Sequence, residues 1–134
     1  AKITVEDTSM IDFQNAAFLN LRPVPLSEAE NALAPLLLNG ELIIGAYRTV
    51  RDMVIFTDKR IVSINVQGIT GKKKDYTSLP YSNIQCWSVE TAGVLDLDSE
   101  LDLWFSGLGR VRFEFRGSVD IRAISQTIAG YVLR

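Results

Sequence analysis

Histidine is absent from this 134-residue sequence, and cysteine occurs once, at Cys86. Without histidine the commonest general base and the commonest metal ligand are missing, which excludes histidine triads and ordinary zinc sites. A single cysteine has no partner within the chain, which excludes a disulfide scaffold and favours a reducing, cytoplasmic setting. We therefore expect a protein that is not an enzyme, with no catalytic residues, no cofactor and no metal site.

Long apolar runs, a secretory leader pattern and a strong net charge are also lacking. No run reaches the length that a membrane-spanning helix needs, and the first residues lack the charged-then-apolar order of a signal peptide. The net charge of −2 argues against nucleic-acid binding, which goes with strongly basic domains. These absences leave an ordinary globular chain that is long enough to bury a substantial core.

Short apolar runs separated by turn residues follow one another from residue 42 onwards, which is typical of consecutive antiparallel strands. The clearest run alternates Val111, Phe113 and Phe115 with polar residues, so one face of that strand is expected to be buried. The seven predicted strands cover residues 42–50, 53–57, 61–66, 74–79, 84–91, 100–105 and 110–115.

A helix is predicted after the last strand, from Ser118 as its N-cap to Leu133. Isoleucines at helical spacing form its apolar stripe. Such a helix can cover the open end of a strongly bent sheet. The fold class is therefore mainly β (α+β), with a C-terminal helix against the strands.

Helical signals also precede the strands. Residues 27–38 are predicted to form a helix that starts with a capping box and is interrupted by Pro35. The capping box consists of Ser27 and Glu30. A second short amphipathic helix is predicted upstream, from apolar positions that include Ala16, Ala17 and Phe18. We therefore expect residues 1–39 to form an N-terminal helical arm and residues 40–134 to form the domain.

Charge is unevenly distributed along the chain. Residues 41–80 carry a net +3 and include the run Lys72–Lys74, whereas residues 81–109 carry −5 and no Lys or Arg. Acids alternate from Asp96 to Asp102, so an extended strand would place them on one face. Three interpretations follow: a calcium site, ion pairs within the barrel, or a head-to-tail contact with the basic 48–74 region of another copy.

Five stretches carry distinctive motifs: G-E-L-I at 40–43, R-D-M-V-I-F-T-D-K-R at 51–60, Q-G-I-T-G-K-K-K at 67–74, L-P-Y-S-N-I at 79–84 and V-E-T-A-G-V-L-D-L-D-S-E-L at 89–101. Together with seven strands and a final helix, they resemble the bacterial pleckstrin-homology-like (PH-like) family, formerly catalogued as a domain of unknown function. The resemblance runs from about residue 40 to the end of the chain.

The resemblance implies a PH-like barrel of seven bent antiparallel strands, capped by the C-terminal helix. It also implies a cyclic homo-oligomer, a ring of five, that acts as a scaffold and binds an unidentified protein. The family has no established enzymatic activity or ligand. Eukaryotic PH domains often bind phosphoinositides through basic residues on the first strands, where this chain has Arg48 and Arg51. The alternative function is thus peripheral binding to anionic phospholipids through the 48–74 region.

The conspicuous polar groups of these motifs predict a binding surface. Its residues are Arg51, Asp52, Thr57, Asp58, Lys59, Arg60, Gln67, Lys72, Lys73, Lys74, Glu90, Thr91, Asp96 and Asp98.

Overall fold

The computed structural model describes residues 16–91, 93, 98–117 and 119–133. Its strands and helices are β1 (Ala16–Pro23), α1 (Leu26–Leu33), β2 (Ile43–Arg48), β3 (Met53–Thr57), β4 (Arg60–Gln67), β5 (Lys73–Pro80), β6 (Ile84–Glu90), β7 (Ser99–Phe105), β8 (Gly109–Phe115) and α2 (Ile121–Val132). One turn of 3-10 helix, Tyr81–Asn83, joins β5 to β6. The seven predicted strands correspond to β2–β8, with ends that differ by at most two residues.

All strands belong to one curled sheet, in the order β5-β4-β3-β2-β1-β8-β7-β6. Neighbours are antiparallel except β1 and β8, which run parallel. The prediction of seven antiparallel strands was therefore wrong in two respects. The described residues form eight strands, and one of their pairings is parallel.

The additional strand, β1, lies where the sequence predicted an N-terminal helix. A register shift in its pairing with β8 falls between Phe18 and Leu21, and Asn20 has a φ of 61°. This irregularity leaves Phe18 and Leu21 buried three positions apart, while Leu19 between them is exposed. Buried residues at that spacing lack the alternation that indicates a strand, so the sequence carries no strand signal here. Residues 1–15 of the predicted arm lie outside the described residues.

Helix α1 covers the outer face of the sheet over β2, β3 and β4. Its buried Ala29 and Leu33 pack with Ile55 of β3 and Val62 of β4. The opposite face of these strands, including Val54, packs into the barrel interior. Because β3 and β4 are buried on both sides, their sequences are nearly continuous apolar runs rather than alternating ones.

The interior of the barrel is filled from the inner faces of the strands and closed by α2. The alternation predicted for β8 is confirmed, since Val111, Phe113 and Phe115 are all fully buried. From α2, Ile121 and Ile128 enter this core. The C-terminal helix thus packs against the curled sheet as the sequence predicted.

Both helices begin differently from the prediction. Pro25 precedes α1 as its N-cap, without a side-chain cap hydrogen bond, so the Ser27 capping box was wrong. Helix α1 ends at Leu33, two residues before Pro35, because proline has no N–H with which to continue the helical hydrogen bonds. Asp120 caps α2 and accepts a hydrogen bond from the Ala123 amide at 3.1 Å. The predicted N-cap, Ser118, lies outside the described residues.

Candidate functional site

The predicted site residues do not form one continuous site. Thr57, Asp58, Lys59 and Arg60 lie at the turn between β3 and β4. The other basic residues of the predicted site, Arg51 and Lys72–Lys74, lie at the opposite end of these strands. The structure therefore separates a β3–β4 turn from a second group of loops.

The β3–β4 turn is held by an ion pair that the sequence analysis did not predict. Arg60 donates from Nε and Nη2 to the two carboxylate oxygens of Glu41, each at 2.9 Å. Thr57 Oγ1 donates to Glu41 Oε2 at 2.7 Å, and the Tyr81 hydroxyl donates to the Thr57 carbonyl at 2.8 Å. Glu41 and Thr57 are both buried. These contacts give Thr57 and Arg60 a structural role.

The same turn is tied to the segment between α1 and β2. Arg60 Nη2 donates to the Leu36 carbonyl at 2.8 Å, and the Leu38 amide donates to Glu41 at 3.0 Å. Asp58 exchanges two hydrogen bonds with the Leu42 backbone, at 2.9 and 3.0 Å. Polar groups of the T-D-K-R motif are therefore used to fasten the chain, and only Lys59 projects as an exposed charge.

Hydrogen bonds from Arg60 are the main reason that the pKa of Glu41 falls from 4.5 to about 2. Burial opposes this change, and the Leu38 amide and the Thr57 hydroxyl reinforce it. A carboxylate stabilised in this way stays ionised at neutral pH. It is a structural anion, and its lowered pKa argues against acid–base chemistry.

Two loops meet at the other end of the strands. One joins β2 to β3 and covers residues 49–52; the other joins β4 to β5 and covers residues 68–72. Arg51 Nη2 donates to the Gly68 carbonyl at 2.7 Å and so links their tips. We call these loops, with the adjacent strand ends Arg48 and Lys73–Lys74, the loop end.

Asp52 supports the loop end from within. Its backbone amide donates to Thr49 Oγ1 at 3.0 Å, and its carboxylate accepts from the Val66 amide at 3.3 Å. Burial raises the pKa of Asp52, while the Val66 amide and the Arg51 charge oppose that rise. Asp52 therefore braces the β2–β3 loop rather than projecting towards a ligand. Gln67 lies at the adjoining end of β4, opposite Lys73 of β5.

Two apolar side chains at the loop end are completely exposed. Val50 and Ile69 have exposed fractions of 101 % and 105 %, one on each loop. The loop end contains one acidic residue, Asp52, and five basic residues. The basic residues are Arg48, Arg51, Lys72, Lys73 and Lys74. All five basic residues are exposed, whereas Val50 and Ile69 were missed by the sequence analysis. An isolated apolar residue within a run of turn residues is the signal that would have identified them.

The acidic stretch is engaged within the chain. Arg112 of β8 donates to the two oxygens of Asp102 at 2.8 and 3.1 Å and lies 3.5 Å from Glu100. Arg116 lies 3.8 Å from Asp98. Of the interpretations considered for these acids, the structure therefore supports ion pairs within the barrel.

The remaining predicted site residues lie near this stretch or cannot be placed. Glu90 ends β6 opposite Glu100, and Thr91 follows it, exposed. Asp96 lies outside the described residues. Among the residues that the structure describes, no three His, Cys, Asp or Glu side chains are grouped so that they could hold a metal ion.

Residues 12–132 match the protein family described as "Bacterial PH domain". The chain belongs to this family. The matched span includes every strand and helix described above. Two Bacillus subtilis (strain 168) proteins are similar to this bacterial PH domain. The uncharacterized protein YjqA is 43% identical over 112 residues, which cover 82% of this chain and 90% of YjqA. The uncharacterized protein YozO is 29% identical over 100 residues, which cover 75% of this chain and 86% of YozO.

Solved structures share the fold. A DUF1696 family protein with a pleckstrin-homology domain from Shewanella loihica PV-4 has a TM-score of 0.71 and 42% identity, covering 85% of this chain and 98% of that one. The pleckstrin homology domain from Shewanella amazonensis SB2B has a TM-score of 0.61 and 43% identity, covering 83% and 90%. In the part of this bacterial PH domain that the structure describes, no helix is long and apolar enough to cross a bilayer.

Proposed function

We propose that this bacterial PH domain is a non-enzymatic binding module that docks on anionic membrane surfaces through its loop end. The observation that carries the proposal is the pair of fully exposed apolar side chains, Val50 and Ile69, among five basic residues. Peripheral membrane proteins combine these two features. Apolar groups enter the interfacial region of the bilayer, and Lys and Arg are attracted to its anionic head groups.

Hydrogen bonds tie the two loops of the loop end to each other and to the sheet. Arg51 ties one loop tip to the other through the Gly68 carbonyl, and the Asp52 carboxylate ties the first loop to the β4 backbone at Val66. Both apolar side chains are therefore presented together from a fixed frame. Binding to a preordered surface avoids the entropy cost of ordering loops, which favours docking of the whole end at once.

The expected free-energy contributions predict that a single copy docks weakly on a membrane. Each Lys or Arg near an anionic leaflet contributes about 1 kcal/mol, and burial of a Val or Ile side chain contributes about 1.5–3 kcal/mol when complete. Loss of translational and rotational freedom on association opposes these gains by about 4–15 kcal/mol. Several copies held together would bind a surface far more tightly than one.

A cyclic homo-oligomer is the second function that we propose, and the open sheet favours it. β5 and β6 lie at the two ends of the strand order, so each has a single neighbouring strand in the described sheet. Unpaired edges are templates for pairing with another chain. If β5 of one copy pairs with β6 of the next, the contact is head-to-tail and closes into a ring when the rotation allows. A ring of five would present five loop ends and could hold a protein partner.

Flotation with vesicles tests the membrane proposal. At physiological salt, the protein should float with vesicles of phosphatidylcholine and phosphatidylserine but not with phosphatidylcholine alone. Replacing Lys72, Lys73 and Lys74 together by Gln should weaken binding about 100-fold, because each lysine contributes about 1 kcal/mol. Replacing Val50 and Ile69 together by Ser should weaken it about 100-fold or more, because complete insertion of the two side chains contributes at least about 3 kcal/mol.

Matched controls lie at the opposite end of the strands. Lys59 is an exposed lysine on the β3–β4 turn, and Leu42, next to that turn, has an exposed fraction of 64 %. Lys59→Gln and Leu42→Ser should leave flotation unchanged. Flotation that is absent in the wild type, or that is lost equally in the control variants, would contradict docking through the loop end.

Light scattering after size exclusion tests the ring. The proposal expects a mass about five times the 14.9 kDa of one chain. A proline in place of Ser88, which is exposed on edge strand β6, should reduce that mass because proline cannot donate to an added strand. Ser106→Pro, in the exposed β7–β8 turn, is the control for introducing proline. A wild-type mass of one chain would sink the ring while leaving the membrane proposal intact.

A further inference from the structure

A depression of about 500 Å³ lies beside the β2–β3 loop, on the side that faces β1. Three of its seven lining residues are arginines from separate parts of the chain, and none is acidic. The lining consists of Leu19, Asn20, Arg22, Arg48, Thr49, Val50 and Arg116. Arg22 and Arg116 belong to no predicted site, and neither lies on the basic loops that carry the membrane proposal.

Two of these arginines repel each other. Arg22 of β1 and Arg48 of β2 are cross-strand partners, and like charges directly opposite each other destabilise a sheet. Arg48 pairs with Glu28 at 2.9 Å, but the two side chains are 58 % and 42 % exposed, so solvent screens that pair. Within the described residues, the Arg22 guanidinium group has no hydrogen bond or ion pair. An anion between the two guanidinium groups would relieve their repulsion.

The third arginine is positioned by the irregularity in β1. Arg116 Nε donates to Asn20 Oδ1 at 2.7 Å, and the Arg116 amide donates to the Leu21 carbonyl at 2.8 Å. Its ion pair with Asp98, at 3.8 Å, also involves Nε. Both Nη groups are therefore without a hydrogen-bond partner in the described part of the chain. Asn20, which has a positive φ, thus holds the Arg116 guanidinium through Nε and leaves both Nη groups unused.

We infer that this depression binds a phosphate-bearing anion, held between Arg22, Arg48 and Arg116. A guanidinium matches phosphate oxygens with two parallel hydrogen bonds, and three guanidinium groups suit a doubly charged phosphate better than a single carboxylate. The volume exceeds that of phosphate alone and leaves space for the group that carries it. That group is either the rest of a lipid head group or a soluble phosphorylated molecule.

Pyrophosphate is the probe that tests the site, in titrations followed by NMR at constant ionic strength. Arg22→Gln should weaken binding about tenfold, because a charge-assisted bidentate contact is lost. Because Arg22 is exposed and its repulsion with Arg48 is removed, the variant should unfold at or slightly above the wild-type temperature. Arg22→Lys should recover part of the affinity, because it restores the charge but not the bidentate hydrogen bonding of a guanidinium group. Lys73→Gln, an exposed charge change on the loop end, should leave affinity within about twofold.

Vesicles distinguish the two sources of phosphate. Phosphatidic acid presents a phosphate monoester, whereas phosphatidylserine presents a diester. Stronger flotation with phosphatidic acid than with phosphatidylserine, abolished by Arg22→Gln, supports the site with a lipid head group as ligand. Pyrophosphate binding that depends on Arg22, without any such lipid preference, supports it with a soluble ligand.

The phosphate site can be tested independently of membrane docking. If the triple Lys72–Lys74 variant stops floating but still binds pyrophosphate, the two surfaces are independent and the inference holds. Pyrophosphate affinity that is the same in the wild type, Arg22→Gln and Arg116→Gln overturns the inference, whatever the vesicles show. Failure of the wild type to bind pyrophosphate also overturns it.

Discussion

The Arg60 guanidinium donates to both carboxylate oxygens of Glu41, at 2.9 Å each, and Glu41 is almost completely buried. Glu41 precedes β2, and Arg60 begins β4. The pair therefore joins the segment that follows α1 to the β3–β4 turn. Thr57 and the Leu38 amide complete the coordination of the carboxylate.

Glu41→Gln should lower the free energy of unfolding by about 3 kcal/mol, because it leaves the Arg60 charge largely buried without its counter-ion. Urea denaturation near neutral pH measures the change. Glu28→Gln is the control, since its pair with Arg48 is exposed and should be worth less than about 1 kcal/mol. Similar losses in the two variants would show that burial of the Glu41 pair is unimportant.

Stability should fall in acid because Glu41 becomes protonated. The folded pKa of about 2 lies below the ordinary 4.5, so the stabilising contribution is complete above about pH 4.5 and is lost as pH falls through about 2. The shift corresponds to about 3 kcal/mol. Unfolding free energies of the wild type and Glu41→Gln, measured from pH 6 to pH 2, should therefore converge as the pH falls. Two parallel curves would refute the assignment of this pKa to Glu41.

Tyr81→Phe should destabilise the fold by about 1 kcal/mol, since the buried Thr57 carbonyl loses the 2.8 Å hydrogen bond from the Tyr81 hydroxyl. Tyr76 provides the comparison, because its hydroxyl makes no hydrogen bond to a described residue. Tyr76→Phe should therefore change stability by less than about 0.5 kcal/mol. Chemical denaturation of both variants decides the matter, and a neutral Tyr81→Phe would count against the bond.

Two glycine substitutions should have opposite effects. Gly68 has a φ of 77°, and no atom lies within 4 Å of the position that a Cβ atom would take, so Gly68→Ala adds backbone strain of about 1–2 kcal/mol without a clash. Gly130 lies within α2 with equal space, so Gly130→Ala should stabilise by about 1 kcal/mol. Thermal unfolding of the two variants tests the pair. Stabilisation by Gly68→Ala would show that the β4–β5 loop tolerates another conformation.

Most of the sheet was predictable from the sequence because its strands are short, alternate or apolar, and bounded by turn residues. β3 was predicted at its observed residues, and Val111, Phe113 and Phe115 marked the buried face of β8. β1 was not predictable in this way, since its irregularity at Asn20 replaces the spacing of two by a spacing of three. Its parallel partner is also the strand most distant from it along the chain.

The candidate sites were less predictable than the fold. Three adjacent lysines are visible in any sequence, but exposure of Val50 and Ile69 depends on which loops extend beyond the barrel. Arg22 and Arg116 come together only through the parallel pairing of β1 with β8. Conversely, Thr57 and Arg60 looked like surface groups because their partner, Glu41, is contributed by a separate segment.

Of the eight described strands, β1 is synthesised first and β8 last. β1 lies between β2 and β8 in the finished sheet, so one of its edges has no partner until Phe115 has left the exit tunnel. Contacts between such distant segments also form slowly, because a long loop must close first. The nascent chain therefore carries an uncovered strand edge while the strands between β1 and β8 are made, and closure of the sheet must wait for its last strand.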